Sequence, residues 1–180
     1  KINYEVDPQT ARIWPSPPEV PRYRYVGELT GEQNVREIEE SKSFGTKFVD
    51  FFKMLVGIKG QNPVPVVLQR PQTGCIDDKG RILITDVSRH GVMVFDMQKG
   101  ELSEWLNATQ NTNFISPLGI AVGPKGSVYV SDSELNYVVQ LDETGAPIKQ
   151  IGEGLFKRPT GVAWDPAQGR LYVADTHGHD

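Results

Sequence analysis

Three pairs of residues stand where chemistry is worth asking about. Asp86 precedes His90 by four positions, Asp132 precedes Asn136 by four, and Asp175 precedes His179 by four. A carboxylate near an imidazole invites a catalytic reading. The same short carboxylate can instead accept amide hydrogens in a tight turn, while its partner returns a hydrogen bond across that turn. Because the pair recurs with the surrounding pattern, and once with Asn in place of His, the three pairs are structural clamps: Asp86 with His90, Asp132 with Asn136, Asp175 with His179. Other candidates for chemistry also fall away. His177-Gly178-His179-Asp180 offers imidazoles that suit Zn or Cu, but His179 belongs to a clamp and no further ligand cluster accompanies it. Cys75 aligns with Ile120 and Val162 when the glycines are matched, which makes it a buried small hydrophobe. No glycine-rich phosphate loop and no serine nucleophile elbow occurs. The sequence therefore calls for no catalytic residue, no metal and no cofactor. Asn107-Ala108-Thr109 is a glycosylation sequon, with meaning only in a glycosylating secretory compartment.

The clamps belong to a segment that occurs three times. Pro71 to Asp86, Pro117 to Asp132 and Pro159 to Asp175 share a Pro, a Gly opening an apolar run, a turn ending in Gly80, Gly126 or Gly169, and a second apolar run ending in Asp. The offsets between copies are 46 and 42 residues. Between the second and third copies, runs at Tyr137–Leu141 and Pro147–Ile151 add two more strands. Alternating β-branched residues with glycine turns are hairpin signals. Four antiparallel strands in about 40–50 residues describe one blade of a β-propeller. The turn glycines are expected at positive φ. Gly74, Gly119 and Gly161 are expected where backbones approach closely near the propeller axis.

The pattern Pro-x-Gly-Val/Ile-Ala, then Gly-x-Val/Leu-Tyr-Val-Ala/Ser-Asp-x-x-x-His/Asn, resembles the NHL-repeat class of six-bladed β-propellers. Arg158 to His179 is the nearest match and the second copy is close. The first departs at Cys75-Ile76 and Ile84-Thr85. The likeness covers residues 68–180 and implies an all-β fold of four-stranded antiparallel blades: 68–114, 115–157 and an incomplete 158–180. That is about two and a half of the six blades that the resemblance implies. Six blades need about 260 residues at this period, so the remainder is expected from a longer polypeptide or from another chain. Trp14-Pro15-Ser16-Pro17-Pro18-Glu19-Val20-Pro21-Arg22 is also similar to the lead-in of bacterial extracytoplasmic propellers of this type. In such a fold, the residues just before each repeat Pro ring one mouth of the central channel. Arg70, Lys157 and Arg158 are then the candidate binding residues, with forked arginine donors suited to a carboxylate or phosphate. Pairing with acidic neighbours such as Glu153 is the simpler role for them.

The N-terminal third is different. Residues 1–22, with Pro15, Pro17, Pro18 and Pro21, read as an extended, proline-rich arm. Residues 23–67 lead into the propeller. Tyr23–Leu29 reads as a strand and is a candidate to complete the last blade. Gly31–Ser43 reads as a polar loop. Phe44, Phe48, Phe51, Phe52 and Leu55 follow helical spacing, with Ser43 as cap and Gly57 as stop, and predict an amphipathic helix over 44–56. Its aromatic stripe packs on its own domain in the simpler reading.

Composition bounds the rest. The chain has 180 residues and a net charge of -4, from 19 Lys+Arg and 23 Asp+Glu. That is not the basic balance of a nucleic-acid binder. A single cysteine rules out an intramolecular disulfide. No apolar run approaches the ~20 residues that span a bilayer. The sequence starts at Lys1 and ends in His-Gly-His-Asp, and both ends are expected to be processed or trimmed. The expected function is a non-enzymatic propeller scaffold for protein–protein interaction or assembly. It would lie outside the cytoplasm, in a periplasm or on a cell surface, with a lipid anchor upstream of Lys1 as one means of attachment. The alternatives are a propeller-type enzyme, such as a metal-dependent lactonase or lyase whose ligands lie in other blades, and a subunit of a surface filament or cell-envelope complex.

Overall fold

A computed structural model describes residues 12–35 and 65–178. The predicted helix over 44–56, the first part of the arm, and His179 lie outside the described residues. The chain forms two compact units that divide between Val66 and Val67.

In the first unit, β1 (Ile13–Trp14) and β2 (Tyr23–Arg24) form an antiparallel ribbon, with Trp14 opposite Tyr23. Arg22 N–H donates to the Trp14 carbonyl at 2.8 Å, and Tyr25 N–H donates to the Arg12 carbonyl at 2.7 Å. The arm is therefore not simply extended: its prolines fill the loop of a hairpin. The strand predicted over Tyr23–Leu29 is only two residues long. Its partner is β1, itself two residues long, which limits the ladder to two pairs. A single turn of 3-10 helix follows at Glu32–Asn34. The buried Asn34 carboxamide organises it, accepting from the Thr30 and Gly31 amides and donating to the Glu28 carbonyl.

The second unit holds the repeats. The first blade is β3 (Pro71–Ile76), β4 (Ile82–Asp86), β5 (Gly91–Asp96) and β6 (Glu101–Trp105), a meander in chain order. The second is β7 (Pro117–Val122), β8 (Val128–Asp132), β9 (Tyr137–Leu141) and β10 (Pro147–Ile151). β11 (Pro159–Asp165) and β12 (Arg170–Asp175) form a third, two-stranded sheet. The inner strand β7 packs against both β3 and β11, so the sheets meet along their first strands. Leu83, Val92 and Val94 of the first blade meet Ile120, Val128, Val130, Val139 and Leu141 of the second in one buried core. Strand alternation produces this, since every second residue of each strand faces one neighbouring blade. Gly80, Gly126 and Gly169 end the first hairpin turns with φ of 74°, 74° and 63°. Only glycine enters that region without a steric cost.

Register corrects one alignment. Pro71, Pro117 and Pro159 pair with Asp86, Asp132 and Asp175, and Gly74, Ile120 and Val162 then pair with Ile84, Val130 and Val173. Cys75 thus occupies the place of Ala121 and Ala163, not of Ile120 and Val162. Thr73 stands where Gly119 and Gly161 stand. Gly119 still needs its missing side chain. A Cβ there would lie 2.9 Å from Ser131 Oγ and from Val162 N, and closer still to the Thr160 carbonyl oxygen.

A third contact joins the first two blades at the opposite end. Arg81 Nε donates to Asp77 Oδ2 at 2.6 Å and its Nη2 donates to the Glu143 carbonyl at 2.8 Å. The guanidinium lies 5.3 Å from the Trp105 ring centre.

Candidate functional site

The three clamp carboxylates serve backbone, and they do so across more than one turn. Asp86 accepts from the amides of Gln69 (2.7 Å) and Arg70 (3.0 Å) in the loop leading into β3, and from Arg89 (3.1 Å) in the β4–β5 turn. Asp132 repeats this with Ile115 (2.7 Å), Ser116 (3.0 Å), Glu134 (3.0 Å) and Leu135 (3.1 Å). Asp175 repeats it with Lys157 (2.8 Å), Arg158 (2.7 Å) and His177 (3.3 Å). These amide donors, the Lys157 N–H first, hold the Asp175 carboxyl below the usual carboxylate range. Asp86 and Asp132 are fully buried.

The residue four positions on reaches the next blade. His90 Nδ1 lies 2.6 Å from the Ile115 carbonyl, and since a carbonyl only accepts, that nitrogen carries the hydrogen. Placed by its neighbours, the Asn136 amide nitrogen donates to the Lys157 carbonyl at 2.6 Å and to the Ser133 carbonyl at 3.2 Å. Among the described residues, the expectation of a bond returned across the same turn holds only for the weaker Asn136 contact. The main partner lies in the following blade. His90 and Asn136 have φ of 53° and 62°, a left-handed conformation that aims their side chains outward from the turn. Each lead-in residue is consequently held twice. Ile115 and Lys157 give their N–H to the aspartate of their own blade and their carbonyl to the His or Asn of the blade before.

A further joint escaped the sequence reading. The residue before each clamp aspartate is Thr85, Ser131 or Ala174. Thr85 Oγ1 accepts from the Thr73 amide and donates to the Leu118 carbonyl of the next blade (2.7 Å). Ser131 Oγ accepts from the Gly119 amide and donates to the Thr160 carbonyl. Ala174 has no hydroxyl to offer. The available signal was a hydroxyl in two of three copies, and at Thr85 it had been read as a departure from the pattern.

The candidate binding residues Arg70, Lys157 and Arg158 do sit in the loops leading into inner strands, and all three are exposed. Their amides are fixed by Asp86 and Asp175, so the backbone is rigid while the side chains reach solvent. Arg158 Nη1 lies 3.5 Å from His177 Nε2, and no contact joins it to Glu153 among the described residues. Arg70 makes no side-chain ion pair among the described residues. Cys75 is half-buried, and burial, with Asp77 adding to it, pushes the thiol up to about 11. It is a thiol and not a thiolate at neutral pH. Among the described residues no group of three His, Cys, Asp or Glu could hold a metal ion. No helix among them is long and apolar enough to cross a membrane.

Sheets joined by repeated clamps along their first strands are propeller blades, and comparison with known proteins gives the type. No family model matches the chain. The human NHL-repeat-containing protein 4 is 40% identical over 76 residues, which are 42% of this chain and 57% of that protein. The mouse protein of the same name is 43% identical over 63 residues, 35% of this chain and 45% of that one. The chain thus spans about half the length of the curated relatives it matches. In fold alone it is similar to a chain of the nidogen/laminin complex, with TM-score 0.52 and 20% identity over 63% of this chain and 44% of that one. It is similarly related to a luciferin-regenerating enzyme, with TM-score 0.51 and 11% identity over 65% of this chain and 42% of that one. The three sheets are NHL-type β-propeller blades, and this chain carries part of such a propeller.

Proposed function

We propose that this protein is a non-enzymatic NHL-type scaffold that works outside the cytoplasm and binds an acidic protein partner at the face carrying the lead-in loops. One observation supports this most. The three repeat-defined carboxylates, and His90 and Asn136 four residues after two of them, are engaged by backbone, while Arg70 and Arg158 project from loops whose main chain is locked. Rigid main chain under exposed cationic side chains suits recognition of carboxylates at little entropic cost. The blades needed to close the ring come from outside these residues, from the same polypeptide or another chain. Affinity capture from the native source tests the reading by comparing the wild type with the double variant Arg70→Glu, Arg158→Glu. A partner held by the first and lost by the second is expected. Equal capture by both would overturn the assignment of this face.

A further inference from the structure

The N-terminal hairpin carries a feature that a propeller scaffold does not require. Between Arg12 and Val26 there are three arginines and one acid, Glu19, a local charge of +2 in a chain of net charge -4. Arg12, Arg22 and Arg24 are all exposed. So are the apolar residues among them: Trp14 is 46% exposed, Tyr23 71% and Val20 81%. Trp14 and Tyr23 face each other across the ribbon and share one side of it; Arg24 pairs with Ile13 and leaves from the other side, and Arg22 stands just before β2. Val20 stands in the proline-rich loop that joins the strands.

We infer that this hairpin rests on an anionic lipid surface. Indole and phenol rings prefer the level of the headgroups, where one part of the ring is dry and another is wet. Arginines beside them meet lipid phosphates with forked hydrogen bonds, and long stems let the guanidinium reach the phosphate while the rings go deeper. A plane of lipids fits what the ribbon offers. A stable protein interface takes about 20–30 residues a side, more than the hairpin's two paired residues on each strand and a short loop. A lipid surface makes no such demand and rewards basic charge over a whole patch. Such an attachment is reversible and weakens with salt.

Vesicle co-sedimentation of the full chain tests this, with neutral phosphatidylcholine vesicles and vesicles containing 30 mol% phosphatidylglycerol. The chain is expected to sediment with the anionic vesicles and not the neutral ones, and 0.5 M NaCl is expected to release it. Trp14 is the most exposed of the three tryptophans, so its emission should shift to the blue on binding, and Trp14→Ala should abolish that shift. Arg22→Glu with Arg24→Glu should weaken binding at least tenfold, whereas Arg70→Glu with Arg158→Glu should leave it unchanged. Those variants separate this inference from the proposed protein-binding face. Sedimentation with neither vesicle, or binding to both alike and insensitive to salt, would overturn it, and the arginines would then be left to an acidic protein.

Discussion

The second blade and the third share a sequence pattern and differ in what surrounds them. Tyr129 and Tyr172 occupy the same position, opposite Ala121 and Ala163. Tyr129 is 6% exposed, because the Trp164 ring of the next blade stacks on it at 5.6 Å between ring centres. Tyr172 is 51% exposed. Asp132 is fully buried, whereas Asp175 accepts equivalent amides on open ground. The comparison teaches that an NHL-type repeat specifies its own hairpin and clamp locally, while burial of its outward face depends on the blade that follows. Stability in such an array is the sum of repeats and their interfaces.

That contrast can be broken position by position, each by chemical denaturation of the chain. Asp132→Ala should have a large effect, on the order of 3 kcal/mol, since it strands amides that a buried carboxylate satisfies. Asp175→Ala should cost clearly less. Tyr129→Ala should cost about 3 kcal/mol, as large aromatic truncations in cores do, while Tyr172→Ala should stay within about 1 kcal/mol. Equal losses at the two tyrosines would show that the third sheet is covered in solution. Ser131→Ala should lose about 1–2 kcal/mol with its two hydrogen bonds, and Ala174→Ser should change less in this chain, since no strand follows β12 among the described residues.

Two further measurements sharpen the electrostatic side. The folded pKa of Asp175 is depressed, so its stabilising contribution is fully present above the ordinary aspartate value. It fades as pH falls from there through the lower folded value, and Asp175→Asn should flatten the acid limb of a stability–pH profile. Cys75 should react slowly with a disulfide reagent at pH 8, its rate rising toward a midpoint near 11. Fast labelling at pH 8 would place the thiol in solvent.

Much of this architecture is legible in residue order. Pro, Gly and Asp at fixed separations mark strand starts, turns and clamps because each does some local work: a φ above zero at Gly80, or the Arg89 amide held within its own turn by Asp86. What stayed hidden was the long-range part. The distance from Pro71 sets register, whereas matching Gly74 to Gly119 by identity shifted the first strand by one residue and misplaced Cys75. The reach of His90 to Ile115 spans 25 residues, so a spacing of four from Asp86 pointed to the wrong partner. The short β2 depended on the length of β1, which no periodicity in Tyr23–Leu29 reveals. Arg70 and Arg158 were found as lead-in residues, but the fixed main chain beneath them appears only once the aspartates are placed.

The hand-over of one loop between two blades is most directly tested by amide hydrogen exchange at Ile115 and Ser116 in the variants His90→Gly and His90→Asn. Glycine keeps the left-handed φ and removes the imidazole, and asparagine restores an amide like that of Asn136. Faster exchange at both amides in His90→Gly, with protection recovered in His90→Asn, is the predicted result. Unchanged exchange in His90→Gly would contradict it and leave each blade to hold its lead-in loop alone.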